Sequence, residues 1–160
     1  HESAIRIISK EGPLANPADR DHCLQYMIAV PLIMGDLSTD HYEDSFHAKN
    51  SMIDTLRNKM EIVESADYTR DYLDPEKRSI ANAIQVFFCD GTKTDVAEVE
   101  YPIGHRRRRE EGMPVLEKKL HQNLLTCFPP AKAEQILNAS KSQQSLASVP
   151  VHKFMGMLAQ

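Results

Sequence analysis

The stretch SIANAIQVFFCDGTKTDVAEVEYP, Ser79 to Pro102, decides the fold class. Two runs rich in β-branched and aromatic residues flank Asp90-Gly91, a dipeptide suited to the positive φ angles of a tight hairpin turn. The spacing therefore predicts an antiparallel hairpin, the clearest β signal in the chain. Outward from it the period changes. From Met113 onward, MPVLEKKLHQNLLTCF, PPAKAEQILNAS and VPVHKFMGMLAQ read as helices. The mixture predicts an α+β fold, with helices segregated around a small antiparallel sheet.

Upstream, NPADRDHCLQYMIAVPLIMG (Asn16 to Gly35) reads as one helix. Asn16 or Asp19 can cap it, Pro17 is tolerated in the first turn, and Gly35 suits a C-terminal cap. Apolar residues at Leu24, Met27, Ile28, Pro31 and Met34 keep helical spacing, and Pro31 should kink the axis or remove one backbone bond. LSTDHYEDSF and NSMIDTLRNKM read as two shorter helical segments, MEIVES as a short strand, and YTRDYLDPEKRS as a polar loop over the surface. The opening HESAIRIIS shows no capping signal and reads as an element entered partway.

The 160 residues allow one ordinary domain or a piece of a larger one. Hydrophobic residues make up 41% and charged residues 26%, enough to bury a core and remain solvated outside. No apolar run reaches the roughly 18 residues of a membrane span, and no signal-peptide organisation opens the chain. Three cysteines, Cys23, Cys89 and Cys127, lie far apart and in no CxxC pair. A disulfide framework or thiolate zinc site is not expected, and a reducing compartment, the cytoplasm, fits best. Residues 1–80 carry 9 Lys/Arg against 15 Asp/Glu, and residues 81–160 carry 10 against 8. A nucleic-acid binder is usually more basic.

Two constellations could carry chemistry. His22 and Tyr26, four apart on the expected helix, would share a face, and Asp19 one turn earlier could orient the imidazole. A phenol beside an imidazole suits proton transfer. The plainer reading is an acidic first turn complementing the helix dipole and a Tyr that packs. In YPIGHRRRREEGMP, His105 and four arginines concentrate donors for carboxylate or phosphate groups. Most such runs are solvated loops, and Glu110 and Glu111 with no interleaved aromatics argue against nucleic acid. HYEDSFH fits no zinc spacing and reads as surface. There is no GxGxxG, P-loop or GxSxG, so no cofactor motif is present.

Three segments together carry a resemblance: KEGPLANPADRDHCLQYMIAVPLIMG, DPEKRSIANAIQVFFCDGT and VEYPIGHRRRREEGMPVLEKKLHQNL. In order and without large gaps, they resemble the C-terminal part of the 2-methylcitrate dehydratases of the MmgE/PrpD family. The resemblance implies a large helical domain and a smaller α+β lid, with a tricarboxylate substrate in the cleft between them. It also implies a hydro-lyase reaction of propionate catabolism, 2-methylcitrate to 2-methyl-cis-aconitate, that needs no iron–sulfur cluster or other cofactor. On this likeness residues 1–112 are part of the lid, and residues 113–160 are helices returning to the large domain. Tyr26 matches a lid tyrosine expected to face the cleft as a catalytic group, with His22 a turn away. His105 and Arg106 are candidates for carboxylate contact.

The remaining catalytic residues of the family lie mostly in the part that precedes this chain. The partners expected are therefore the tricarboxylate (citrate or aconitate as secondary substrates) and an N-terminal helical domain. A second copy is a further expected partner, because the lid sheet has an unpaired edge; neither nucleic acid nor membrane is expected. The isolated chain is expected to be inactive. The alternative is a non-catalytic lid-like module that binds a polycarboxylate or associates with itself.

Overall fold

The computed structural model describes residues 1–159. Contacts divide the chain into two compact units, His1–Glu100 and the remainder from Tyr101. The boundary expected at 112/113 falls inside a helix, so the structural seam is the one at Glu100/Tyr101.

Ten helices and two strands follow in order among the described residues. The first unit holds α1 (Glu2–Ile8), α2 (Pro17–Asp21), α3 (Leu24–Met34), α4 (Asp44–Lys49), α5 (Met52–Arg57), α6 (Ala66–Leu73), β1 (Asn82–Ile84) and β2 (Ala97–Val99). The second holds α7 (Arg109–Cys127), α8 (Pro130–Ser140), α9 (Gln143–Ser148) and α10 (Val151–Leu158). Short 3-10 turns at Thr39–Tyr42 and Arg106–Arg108 lead into α4 and α7. The fold is α+β, mostly helical with one two-stranded antiparallel sheet.

The hairpin forms where its turn chemistry placed it. β1 and β2 pair antiparallel with Asn82 opposite Val99 and Ile84 opposite Ala97. Gly91 takes φ +86°, which a residue with a Cβ adopts at a cost. Asp90 Oδ1 accepts from the Thr92 N–H and hydroxyl, bracing the turn and holding the Asp90 carboxyl below its ordinary value. Phe87, Phe88, Val96 and Val99 remain exposed on the hairpin.

Three expectations are corrected. The helix read across Asn16–Gly35 is two helices, because Cys23 adopts extended φ, ψ angles (−119°, 107°). Asn16 caps α2 by accepting from the Asp19 N–H at 2.9 Å, and Gly35 at φ +89° ends α3. MEIVES is irregular: no strand among the described residues lies beside it to complete a ladder. YTRDYL is helical as part of α6, whose first turn is capped by Ser65 accepting from the Tyr68 N–H. At the start of the chain, His1 Nδ1 caps α1 through the Ala4 N–H, and its ring stacks on Tyr72 at 4.0 Å.

The core of the first unit is Leu14, Cys23, Tyr26, Ala29, Val30 and Ile53, joined by Tyr42, Phe46, Leu56 and Met60. It is built chiefly where α3 packs on α5. The core of the second is thinner: Leu124, Ala133 and Ile136, with Phe128, Leu137 and Met157 against them.

Candidate functional site

The loop Tyr101–Glu111 presents the highest density of cationic donors in the chain. His105 opens the 3-10 turn, its Nδ1 accepting from the Arg107 N–H at 3.2 Å, and its ring lies 4.6 Å from the Tyr101 ring. The Arg107 guanidinium sits over the Tyr101 ring at 5.0 Å, a cation–π contact that fixes its direction. Arg108 donates to the Tyr101 carbonyl at 2.9 Å and, through Nε and Nη2, to both carboxylate oxygens of Glu111. That fork holds Glu111 below the usual carboxylate range and raises the Arg108 guanidinium. Arg106, by contrast, is exposed and has no hydrogen-bond or ion-pair partner among the described residues. A groove of about 320 Å³ is lined by Arg106 through Glu111.

Gly112 explains why the loop folds back so tightly on α7. A Cβ there would collide with the Ile103 carbonyl, so only glycine lets the first turn of the helix approach it. The loop is thus held by backbone contact, by Tyr101 and by the Arg108–Glu111 fork, leaving Arg106 available to an anion.

The His22/Tyr26 pair does not form as expected. With the helix broken at Cys23, His22 is the C-cap of α2, exposed, and its Nδ1 meets Asp21. Asp19 does not orient it. That carboxylate accepts from Lys10 Nζ at 3.2 Å and from the Ala15 N–H at 3.1 Å, which holds its pKa below the ordinary value.

Tyr26 lies at 0% exposure in the core of the first unit. Its hydroxyl donates to the His41 carbonyl at 2.6 Å, and the His47 ring meets it edge-on at 5.6 Å. Burial pushes the phenol up, so it stays protonated and committed to that carbonyl. The expectation of a cleft-facing phenol is corrected: residues of the 38–50 segment close over it.

Around Tyr26 runs a chain of charges that sequence reasoning missed. Arg20, 1% exposed, donates from Nε to the Tyr42 carbonyl at 2.7 Å, from Nη1 to the Leu14 carbonyl at 3.2 Å, and from Nη2 to Asp44. His47 stands 3.5 Å from Arg20 Nη1 through Nδ1 and 2.9 Å from Asp54 Oδ2 through Nε2. Asp54 in turn accepts from Arg57 Nε at 2.6 Å. HYEDSFH, read as surface, contributes the largely covered His47 to this network, while Asp44 meets Arg20 from the exposed side. No sequence spacing marks Arg20 as buried; the only hint is an arginine just before an apolar helical run.

Comparison with known proteins gives this geometry its context. The description "MmgE/PrpD C-terminal domain" matches residues 1–144. The chain belongs to that family. As an MmgE/PrpD C-terminal domain it is 52% identical to 2-methylcitrate dehydratase of Cupriavidus necator across 99% of its own length and 33% of that protein's. It is 49% identical to 2-methylcitrate dehydratase of Escherichia coli K12, covering 98% of the chain and 32% of that protein. It is also 49% identical to the mitochondrial 2-methylcitrate dehydratase of Yarrowia lipolytica, over 98% of the chain and 29% of that protein. The chain spans about a third of the length of the curated relatives it matches.

In this MmgE/PrpD domain the exposed cationic groups gather in the Tyr101–Glu111 loop. Among the described residues no group of three His, Cys, Asp or Glu side chains is placed to hold a metal ion. Cys23 is buried, Cys89 and Cys127 are exposed, and all three are free thiols. No described helix is long and apolar enough to cross a membrane.

Proposed function

We propose that this chain is the C-terminal part of a hydro-lyase that dehydrates 2-methylcitrate to 2-methyl-cis-aconitate. The observation that carries the reading is continuous identity of 49–52% with three 2-methylcitrate dehydratases along essentially the whole chain. The activity belongs to the full-length protein, acting in the cytoplasm, and the 160-residue chain supplies part of the substrate's surroundings. Residues 1–112 belong to the lid side, and residues 113–160 are the helices that return to a helical body. Apolar residues left exposed on α7, including Met113, Val115, Leu116 and Leu120, give that body a surface to pack on.

The reaction needs a base to take the proton from the carbon next to a carboxylate, while an acid protonates the departing hydroxyl. The C–H and C–O bonds break, the C=C bond forms, and water leaves. Guanidinium and imidazole groups hold the carboxylates and stabilise negative charge as it develops. Arg106 and His105 take that role in the Tyr101–Glu111 loop; the exposed His22, at the end of α2, is a separate candidate for it within the first unit. Tyr26 enters as a positioning residue, through the hydroxyl that anchors the His41 carbonyl.

The test is a dehydration assay on the full-length protein with 2-methylcitrate, citrate and a malate control. Turnover is expected on 2-methylcitrate above citrate, and none on malate. Absence of turnover on both tricarboxylates overturns the reading. An Arg106→Ala variant is expected to raise KM more than it lowers kcat, because a carboxylate contact acts largely on binding.

A further inference from the structure

A second groove, of about 280 Å³, lies wholly within the first unit and is lined by Lys10, Glu11, Gly12, Gln25, Arg57 and Asn58. Two of these side chains are unusual in a groove wall: Gln25 and Arg57 are each only 5% exposed. Buried polar groups of this kind are normally saturated with partners. Here they are held firmly but not saturated.

Arg57 donates from Nε to Asp54, from Nη1 to the Lys10 carbonyl at 3.5 Å, and from Nη2 to the Gly12 carbonyl. Gly12 takes φ +80°, the left-handed turn in KEGP whose carbonyl meets the guanidinium. A guanidinium has five N–H donors, so two have no acceptor among the described residues. Gln25 accepts from Cys23 Sγ and donates once, to Ser9 Oγ at 3.2 Å, leaving one amide N–H. The Asn58 side-chain amide makes no hydrogen bond among the described residues, and Lys10 Nζ spends one donor on Asp19. Among the described residues, unused N–H donors outnumber the unused acceptors, Asn58 Oδ1 and the Glu11 carboxylate. Arg57 and Lys10 are already paired with Asp54 and Asp19, so the surplus lies in donors rather than in net charge.

A ligand that complements such a wall brings acceptors without donors of its own, as an ionised carboxylate does. The volume lies near the lower end of small-molecule sites (about 300 Å³ upward) and suits a small anion. We propose that this groove is a carboxylate-binding subsite that takes one carboxylate arm of a small polycarboxylate. The identity of the ligand rests on the activity proposed above; the donor-rich wall is independent of it. The subsite is built from residues other than Arg106 and His105. Lys10 and Asn58 hold the arm from the open side, and Arg57 and Gln25 hold it from within.

The experiment uses the ¹⁵N-labelled 160-residue chain titrated with tricarballylate, which has no hydroxyl and so cannot be dehydrated. Saturable shifts are expected in the side-chain N–H signals of Arg57, Gln25 and Asn58 and in the backbone of Lys10 to Gly12. Lys10→Met and Asn58→Leu should each weaken binding about fivefold. Asn58→Leu, which removes no side-chain hydrogen bond among the described residues, should leave the thermal midpoint unchanged, whereas Lys10→Met also loses its pair with Asp19. Arg106→Ala should leave these shifts in place. Shifts confined to residues 105–111, unchanged affinity in Asn58→Leu, or equally tight binding of inorganic phosphate would each overturn the proposal. If tricarballylate binds here while the full-length protein fails to dehydrate any tricarboxylate, the activity falls and the subsite stands. The reverse result removes the subsite alone.

Discussion

The first unit adds inward-turned charge to a sizeable apolar core, whereas the second has a small patch of apolar contact. In residues 1–100 two arginines, at 1% and 5% exposure, reach through the interior to backbone carbonyls of distant segments, with Tyr26 packed beside them. From Tyr101 onward only Leu124, Ala133 and Ile136 form a buried cluster, and the cations cluster on an exposed loop. The same residue type thus does opposite work in the two units. A buried guanidinium fixes a fold because removing it strands its partners; an exposed one is free to meet a ligand.

That contrast is broken most severely at Arg20. Arg20→Ala would leave the Leu14 and Tyr42 carbonyls without their donor and open a hole in the interior, while the exposed Asp44 is taken up by water. It should cost about 3 to 5 kcal/mol in denaturant unfolding. A loss near zero would mean the buried charges are decorative. Ile136→Ala truncates the more deeply buried of the two large side chains of the second cluster, and about 3 kcal/mol is expected. Hydrogen exchange should then quicken in α7, α8 and α10.

Tyr26→Phe sharpens the comparison. It leaves the His41 carbonyl without its donor, and a cost of about 1 to 2 kcal/mol follows. In the full-length protein kcat should change only modestly. A collapse of kcat with stability unchanged would restore the phenol to the reaction itself.

How much of this was legible beforehand follows the range of each interaction. The hairpin was readable because Asp90-Gly91 carries its turn geometry locally, and the helices after Met113 because their spacing is intrinsic. The α6 helix was readable too, through Ser65 before Ala-Asp-Tyr, but the polar run concealed it. The break at Cys23 was not, since it depends on Arg20 bonding to residues 22 and 24 positions away. The burial of Tyr26 was missed for the same reason. MEIVES had strand composition without a neighbour to pair with, which composition cannot report. Of the site residues, the His105–Arg106 loop stood out by charge alone, whereas the Lys10–Arg57 groove joins residues 47 positions apart.

Smaller effects complete the series. Burial pushes Asp54 upward, but its hydrogen bonds and charge interactions with Arg57 and His47 prevail and hold it below the ordinary 3.8. Its contribution to stability is therefore present above that value and is lost as pH falls through the lower, folded one. Asp54→Asn should be less stable at neutral pH, with a flatter acid limb below about pH 4. Smallest of all, Arg106→Ala should leave unfolding within about 0.5 kcal/mol of the parent, whatever it does to substrate.

The most direct measurement compares 2-methylcitrate dehydration by the full-length protein and by the 160-residue chain at equal concentration. The account predicts turnover by the former and none above background by the latter, as follows from the proposal that the activity belongs to the full-length protein. Comparable rates from the isolated chain would contradict it.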